Sequence, residues 1–268
     1  MAISWTEETL PKDAAGTATL PVRVYRDAAT KRTAPLVFHL HGGAFTGGSV
    51  ESGQQIASLL AEAGAVVISV DYPVNTCECP FPYALQATYH ALSWLHKNRT
   101  NWVSKKSGVY VAGEEAGGNL AAGLTLMARD QQEPMLAGQI LLSPMLDPDL
   151  ATKSFRQAQA GPVGCKWADG WTSYLGTVDK ALHPYAAPSN ASRLAGLPPT
   201  LILTCPDDPM RDESLRYADR LRKSGVSVQD QIVVAADHWP EALTQNAPTR
   251  ADWAPLVKQT FSEFFAQR

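Results

Sequence analysis

The segment Val109-Tyr-Val-Ala-Gly113-Glu114-Glu115-Ala116-Gly117-Gly118-Asn119-Leu120 has the residue types of a strand that turns sharply into a helix. A β-branched run ends at Gly113, and glycines two before and two after position 115 let the strand and helix backbones approach each other. The side chain at 115 then projects from the top of a sheet, as in a nucleophile elbow. Serine is the usual residue at such a turn, but here it is Glu115. A second segment fits the same site: His41-Gly42-Gly43-Ala44-Phe45 follows the apolar run Leu36 to Leu40. A His-Gly-Gly turn in that place offers backbone N–H groups to an oxyanion hole. The expected donors are the amides of Gly42, Gly43 and Ala116. Farther along, Asp207 and Asp208 follow the run Thr200 to Thr204, and His238 follows Val228 to Val234. An acid and then a histidine, each after a strand, is the order in which such partners follow the nucleophile. The acid would fix the tautomer of His238 and stabilise its charged form.

These residues converge only if the runs that carry them lie side by side. Short apolar runs alternate with longer helical patterns, which predicts a mostly parallel sheet with helices on both faces. The strand candidates are Leu36 to Leu40, Ala65 to Val70, Val109 to Ala112, Gln139 to Leu142, Thr200 to Thr204 and Val228 to Val234. The helical patterns are Gln54 to Ala63, Pro82 to Lys97, Gly118 to Gln131, Asp212 to Ser224 and Pro255 to Gln267. The first forty residues, alternating over Thr17 to Tyr25, are expected to form antiparallel strands leading into the parallel part. From Asp147 to Leu197 the rhythm breaks into a stretch rich in glycine, proline and aromatics, including Gly161, Pro162, Phe155, Trp167, Trp171 and Tyr174. So long an excursion is expected to be a lid or cap within one domain spanning 1–268.

Composition removes several classes of function. The 268 residues are 45% hydrophobic and 18% charged, with 23 Lys+Arg against 26 Asp+Glu and a net charge of −3. That balance carries no electrostatic footprint for nucleic acid. No apolar run reaches the ~18 residues of a membrane span, and the N-terminus lacks the basic and apolar regions of a signal peptide, so a cytoplasmic location is expected. Cys77, Cys79, Cys165 and Cys205 are too few and too unevenly spaced for a disulfide framework or structural zinc site. His39, His90, His96 and His183 lack metal-ligand spacing and are expected at the surface or in the core. No phosphate loop or dinucleotide fingerprint appears, so no cofactor or metal is expected.

The motifs together resemble the hormone-sensitive lipase-like esterases of the α/β-hydrolase fold. The resemblance rests on His41-Gly-Gly, Asp71-Tyr72 with Phe81-Pro82, Gly113-Glu-x-Ala-Gly-Gly-Asn-Leu, Ser143-Pro144, Gly196-Leu-Pro-Pro199, Asp208-Pro-Met-Arg-Asp-Glu213 and His238, in order over most of the chain. It implies an α/β-hydrolase fold, a carboxylic-ester hydrolase scaffold for small hydrophobic esters, and Asp208 as the acid. Many members carry a longer N-terminal helical cap, so a more open pocket is expected here, covered by the 147–197 segment. A homodimer is one expectation for its assembly.

Glu115 departs from the pattern. If its carboxylate attacked an ester carbonyl, the tetrahedral intermediate would expel the weaker base, which is the carboxylate, so serine-type turnover is expected to be lost or altered. A carboxylate can instead attack a saturated carbon, with His238 then activating water. At a helix N-terminus beside amide donors, it can also settle into the oxyanion hole as an internal anion. Pairing with His238, to leave an imidazolium between two carboxylates, is another expectation. The function classes left open are an esterase scaffold with an altered nucleophile, a hydrolase with a carboxylate nucleophile, and a non-catalytic protein binding a small hydrophobic ester or carboxylate.

Overall fold

The computed structural model describes residues 3–11, 19–74, 79–158, 163–244 and 252–267, with backbone alone for 163–165. Cys77, Gly161, Pro162, the Thr17 end of the alternating run and the Cys165 side chain lie outside the described residues. Two antiparallel strands open the chain, β1 (Ile3–Leu10) and β2 (Leu20–Asp27). Next come β3 (Leu36–Leu40), α1 (Gln54–Glu62), β4 (Val66–Val70), α2 (Tyr83–Asn98), β5 (Val109–Glu114), α3 (Glu115–Gln131) and β6 (Gly138–Leu142). The 147–197 segment holds two helices, α4 (Lys153–Ala158) and α5 (Val163–Leu175), and short 3₁₀ turns. The chain continues through β7 (Thr200–Thr204), α6 (Arg211–Lys223), β8 (Val228–Ile232), α7 (Glu241–Thr244) and α8 (Ala254–Ala266).

Among the described residues the eight strands form one sheet in the order β1-β2-β4-β3-β5-β6-β7-β8. From β4 to β8 all neighbours are parallel, while β2 joins β4 antiparallel. The expected sheet is therefore present, with most strand ends within two residues of expectation. Strand alternation sorts the core into two layers. Leu36, Phe38 and Leu40 of β3 face one layer with Leu85 and Leu92 of α2, Leu120 of α3 and Tyr217 of α6. Val37 faces the other with Ile56 and Leu60 of α1 and Val257 and Phe261 of α8. Strands buried on both faces need apolar residues at nearly every position, which is why they read as continuous runs.

The strand order reverses between β3 and β5, the place where ligands bind in open α/β sheets. Register pairs Leu40 with Gly113, so the His41 turn and the elbow leave the sheet side by side. Their approach is too close for any side chain on the inner helix face: a Cβ on Gly117 would stand 2.0 Å from the Leu40 carbonyl oxygen and 2.4 Å from that of His41. Neither backbone group can yield without dismantling the strand. Gly117→Ala is expected to lose about 3 kcal/mol or more of stability, read as a lower urea midpoint. An unchanged midpoint would show that α3 can slide away from β3.

Candidate active site

Glu115 begins α3 with φ 51°, the left-handed conformation of a sharp strand-to-helix turn, and its side chain is buried. Its carboxylate is held by four donors. Oε2 accepts from the backbone N–H of Gly43 at 2.6 Å and of Ala44 at 3.0 Å. Oε1 accepts from the Trp167 indole N–H at 2.7 Å and lies 3.1 Å from the Lys166 ammonium. The carboxyl group is thus folded against the turn after β3 and against α5. Lys166 also reaches Glu241 of α7 at 3.9 Å. Burial pushes the Glu241 carboxyl up, against the opposing pull of Lys166.

The donor set differs from expectation at two positions. The Gly42 N–H is committed to Glu114 Oε1 at 3.2 Å and does not face Glu115. Its place is taken by Ala44, because Gly43, Ala44 and Phe45 all have positive φ (132°, 49° and 62°) and curl the turn so that the later amides face the elbow. Left-handed φ costs a non-glycine residue about 1 kcal/mol or more, so the surroundings must hold the turn in this shape. Ala116 is buried in the first turn of α3, as the elbow requires, but the Glu115 carboxylate is met by the amides of the turn after β3.

The turn is anchored from below. The Tyr72 hydroxyl donates to the His41 carbonyl at 2.7 Å, and the two rings stack with centroids 4.3 Å apart. Burial lowers the His41 pKa to about 4, so the ring is neutral, and Nδ1 donates to the Gly42 carbonyl at 2.8 Å. From above, α5 lies directly on the turn: a Cβ on Gly170 would stand 2.0 Å from the Ala44 carbonyl oxygen. That contact fixes Lys166 and Trp167, one turn earlier on the helix, over Glu115. Phe45 stacks on Tyr174 at 4.1 Å and meets Trp171 at 5.3 Å. Phe45, Tyr174, Trp171 and Trp167 are all buried, so these aromatics pack between turn and helix more than they line an open pocket.

The acid and base are not assembled with the elbow. Asp208 is buried, accepting from the Ser143 hydroxyl at 2.7 Å, the Thr204 hydroxyl at 2.5 Å and the Met210 N–H at 2.8 Å. Burial raises its pKa to about 7, against the pull of these hydrogen bonds. His238 instead stands 80% exposed, its Nδ1 3.4 Å from Asp207. Its backbone N–H is gripped by both Asp207 oxygens at 2.9 and 3.1 Å, and its φ of 56° turns the chain outward. The expected pairings of His238 with Asp208 and with Glu115 are therefore absent, because the neighbouring aspartate holds the loop. Burial pushes Asp207 up, but hydrogen bonds from the Cys205 thiol and the His238 amide hold its carboxyl below the ordinary range.

Trp167 was legible only as one of several aromatics. Lys166 and Glu241 carry no pattern of their own in the sequence, and only the seating of α5 and α7 brings them to the elbow, while Ala44 is brought there by the left-handed curl of its own turn. Cys79 and Cys205 are free thiols, and among the described residues no cluster of three or more His, Cys, Asp or Glu side chains is arranged to hold a metal ion. Among those residues no helix is long and apolar enough to cross a membrane.

A family profile described as alpha/beta hydrolase fold matches residues 37–239, which include the His41-Gly-Gly turn, the elbow and both late loops. The chain belongs to this family. Within it, the α/β-hydrolase is similar to the carboxylesterase NlhH of Mycobacterium tuberculosis, 34% identical over 221 residues that cover 80% of this chain and 69% of that one. It is also 34% identical over 212 residues to an arylesterase of Saccharolobus solfataricus, covering 77% of this chain and 68% of the relative. Among solved structures, a bacterial heroin esterase superposes with a TM-score of 0.86 at 31% identity, over 98% of this chain and 84% of the other. These relatives place the α/β-hydrolase in the hormone-sensitive lipase-like esterase group and give it a carboxylesterase scaffold.

Proposed function

We propose that this α/β-hydrolase is a carboxylesterase scaffold for small hydrophobic esters whose serine-type turnover is shut off at the elbow, where Glu115 fills the oxyanion hole. The observation that carries the reading is the acceptance by Glu115 Oε2 of the Gly43 and Ala44 N–H groups. Donors aimed at one oxygen are what a tetrahedral intermediate needs, and here a resident carboxylate uses them before any substrate arrives. Attack by Glu115 on a saturated carbon needs a free carboxylate oxygen aimed at substrate, whereas both oxygens are tied to donors. The geometry therefore favours a quiet site over a carboxylate nucleophile.

The reading is tested with p-nitrophenyl butyrate and with butyrate itself. The parent chain is expected to show no burst and no acyl adduct by mass spectrometry, and to leave butyrate unbound in calorimetry. Glu115→Ala is expected to bind butyrate, because its carboxylate can take over the vacated amide, indole and ammonium donors. Acylation of the parent, or equal butyrate binding by both proteins, overturns the reading.

A further inference from the structure

Beneath the elbow lies a polar chain that the site chemistry does not use. Ser69 Oγ of β4 is 2.9 Å from His39 Nδ1 of β3, and His39 Nε2 is 2.8 Å from Glu114 Oε2 at the end of β5. All three side chains are fully buried. With Nε2–H donating to Glu114, Nδ1 of a neutral ring accepts a hydrogen bond from the Ser69 hydroxyl. The order resembles a serine-histidine-acid triad, but no substrate reaches a serine sealed inside the sheet. The free end of the chain points elsewhere: Glu114 Oε1 accepts the Gly42 N–H at 3.2 Å.

We infer that the His39–Glu114 pair is the positioning device of the oxyanion hole. Glu114 pins the amide of Gly42, and His39, itself held by Ser69, fixes the orientation of Glu114. With Gly42 fixed, the left-handed residues that follow aim the Gly43 and Ala44 amides at the elbow. The Gly43 carbonyl accepts from Thr46 at 3.1 Å and Gly47 at 2.9 Å, which closes the far side of the turn. Glu114 closes the near side, from within the core. A strained turn persists only when its surroundings over-determine it, and a buried, hydrogen-bonded carboxylate is a rigid anchor because any displacement leaves polar groups unpaired.

This inference rests on reading Gly43 and Ala44 as the hole, but its test does not need esterase activity. In ¹⁵N-labelled protein, hydrogen exchange at Gly43 and Ala44 is measured against that at Val111 and Ala112 of β5. Glu114→Ala is expected to speed exchange at the two turn amides about tenfold relative to the strand, with upfield shifts of their protons. Glu114→Gln keeps an acceptor for Gly42, and His39 can adopt the other tautomer, so it is expected to behave like the parent. If Glu114→Ala does not fold, the double variant His39→Phe, Glu114→Leu removes both partners without stranding a buried charge and is expected to free the same amides. Turn amides that remain as protected as in the parent in a folded variant, or a glutamine variant that behaves like the alanine one, overturn the inference. In a Glu115→Ser background with activity, Glu114→Ala is further expected to lower kcat with little change in KM, with glutamine restoring it. A silent Glu115→Ser protein would count against the esterase reading alone, since the amide measurement is made independently.

Discussion

The Glu115→Ser variant is expected to hydrolyse p-nitrophenyl butyrate at least about a thousand times faster than the parent chain, the scale on which nucleophile removal is felt in serine hydrolases. Three changes act together. The Gly43 and Ala44 amides, now spent on Glu115 Oε2, become available to an ester oxygen that gains charge on attack. The serine hydroxyl gives a nucleophile that expels p-nitrophenolate to form an acyl ester, which water then hydrolyses to release butyrate and the free serine. Lys166, partly exposed, can turn to Glu241 and water once its partner is gone. One cost opposes these gains: the Trp167 indole N–H is buried and loses its acceptor, about 1–3 kcal/mol unless water enters. His238 must also swing inward from Asp207. Its ring is exposed, but Asp207 holds both the ring and the backbone N–H, so that contact must be given up and the base is not preorganised. The variant should therefore fall short of an assembled triad. A Glu115→Ser rate equal to that of Glu115→Ala would show that His238 never reaches the elbow, and the proposed esterase frame would fall.

The contrast between what the sequence reveals and what it hides follows from the physics of each part. Strands buried on both faces must be apolar throughout, so β3, β4, β5, β6 and β7 stand out as runs, and Gly113 and Gly117 mark the elbow because two backbones collide there with any larger residue. Which amides of the turn face the elbow does not show. Gly42 looks like the natural choice by residue type, yet its amide is taken by Glu114, and the face of the turn toward Glu115 is set by left-handed φ at Ala44 and Phe45, residues that seldom adopt it. Lys166 becomes visible only when α5 is laid on the turn through Gly170. The direction of His238 depends on whether Asp207 or Asp208 holds its loop. Two adjacent aspartates cannot be told apart by spacing, and here one grips the loop from the surface while the other is sealed beneath it. His39 was expected to be a core or surface histidine. It is a core histidine whose hydrogen-bond partners, Ser69 and Glu114, come from the two neighbouring strands.

Asp208 should make the protein less stable as pH rises from about 4 to about 7, and Asp208→Asn should abolish that loss. The sign follows from where its protons are bound. The folded pKa is about 7 and the ordinary value is 3.8, so between these limits the unfolded chain has released the proton while the folded protein still holds it. Proton release then favours the unfolded state. The contribution is fully present below about pH 4, fades through the window and is gone above about pH 7; a shift of this size corresponds to roughly 4 kcal/mol. Asp208 is fully buried, so solvent does not screen the effect. Asp207 and Asp212 have the opposite sign, since their folded pKa values are lowered, but their window lies on the acid side of the ordinary carboxylate range. Glu213, which accepts from the Leu146 N–H, is pushed up mainly by burial, and that part is common to both proteins; only its smaller repulsion from Asp208 is removed with the substitution. Asparagine keeps an acceptor for the Met210 N–H and turns its amide toward the Ser143 and Thr204 hydroxyls, which can accept. Urea unfolding at pH 5, 6, 7 and 8 should show the parent losing stability across the series while Asp208→Asn falls much less, the two being closest at pH 5 and farthest apart at pH 8. Parallel curves would mean that Asp208 is ionised in the folded protein throughout this range. The same proton bears on the site, because an aspartate that is neutral below about pH 7 cannot stabilise an imidazolium. Any activity of Glu115→Ser that draws on Asp208 should accordingly rise through the same window in which stability falls.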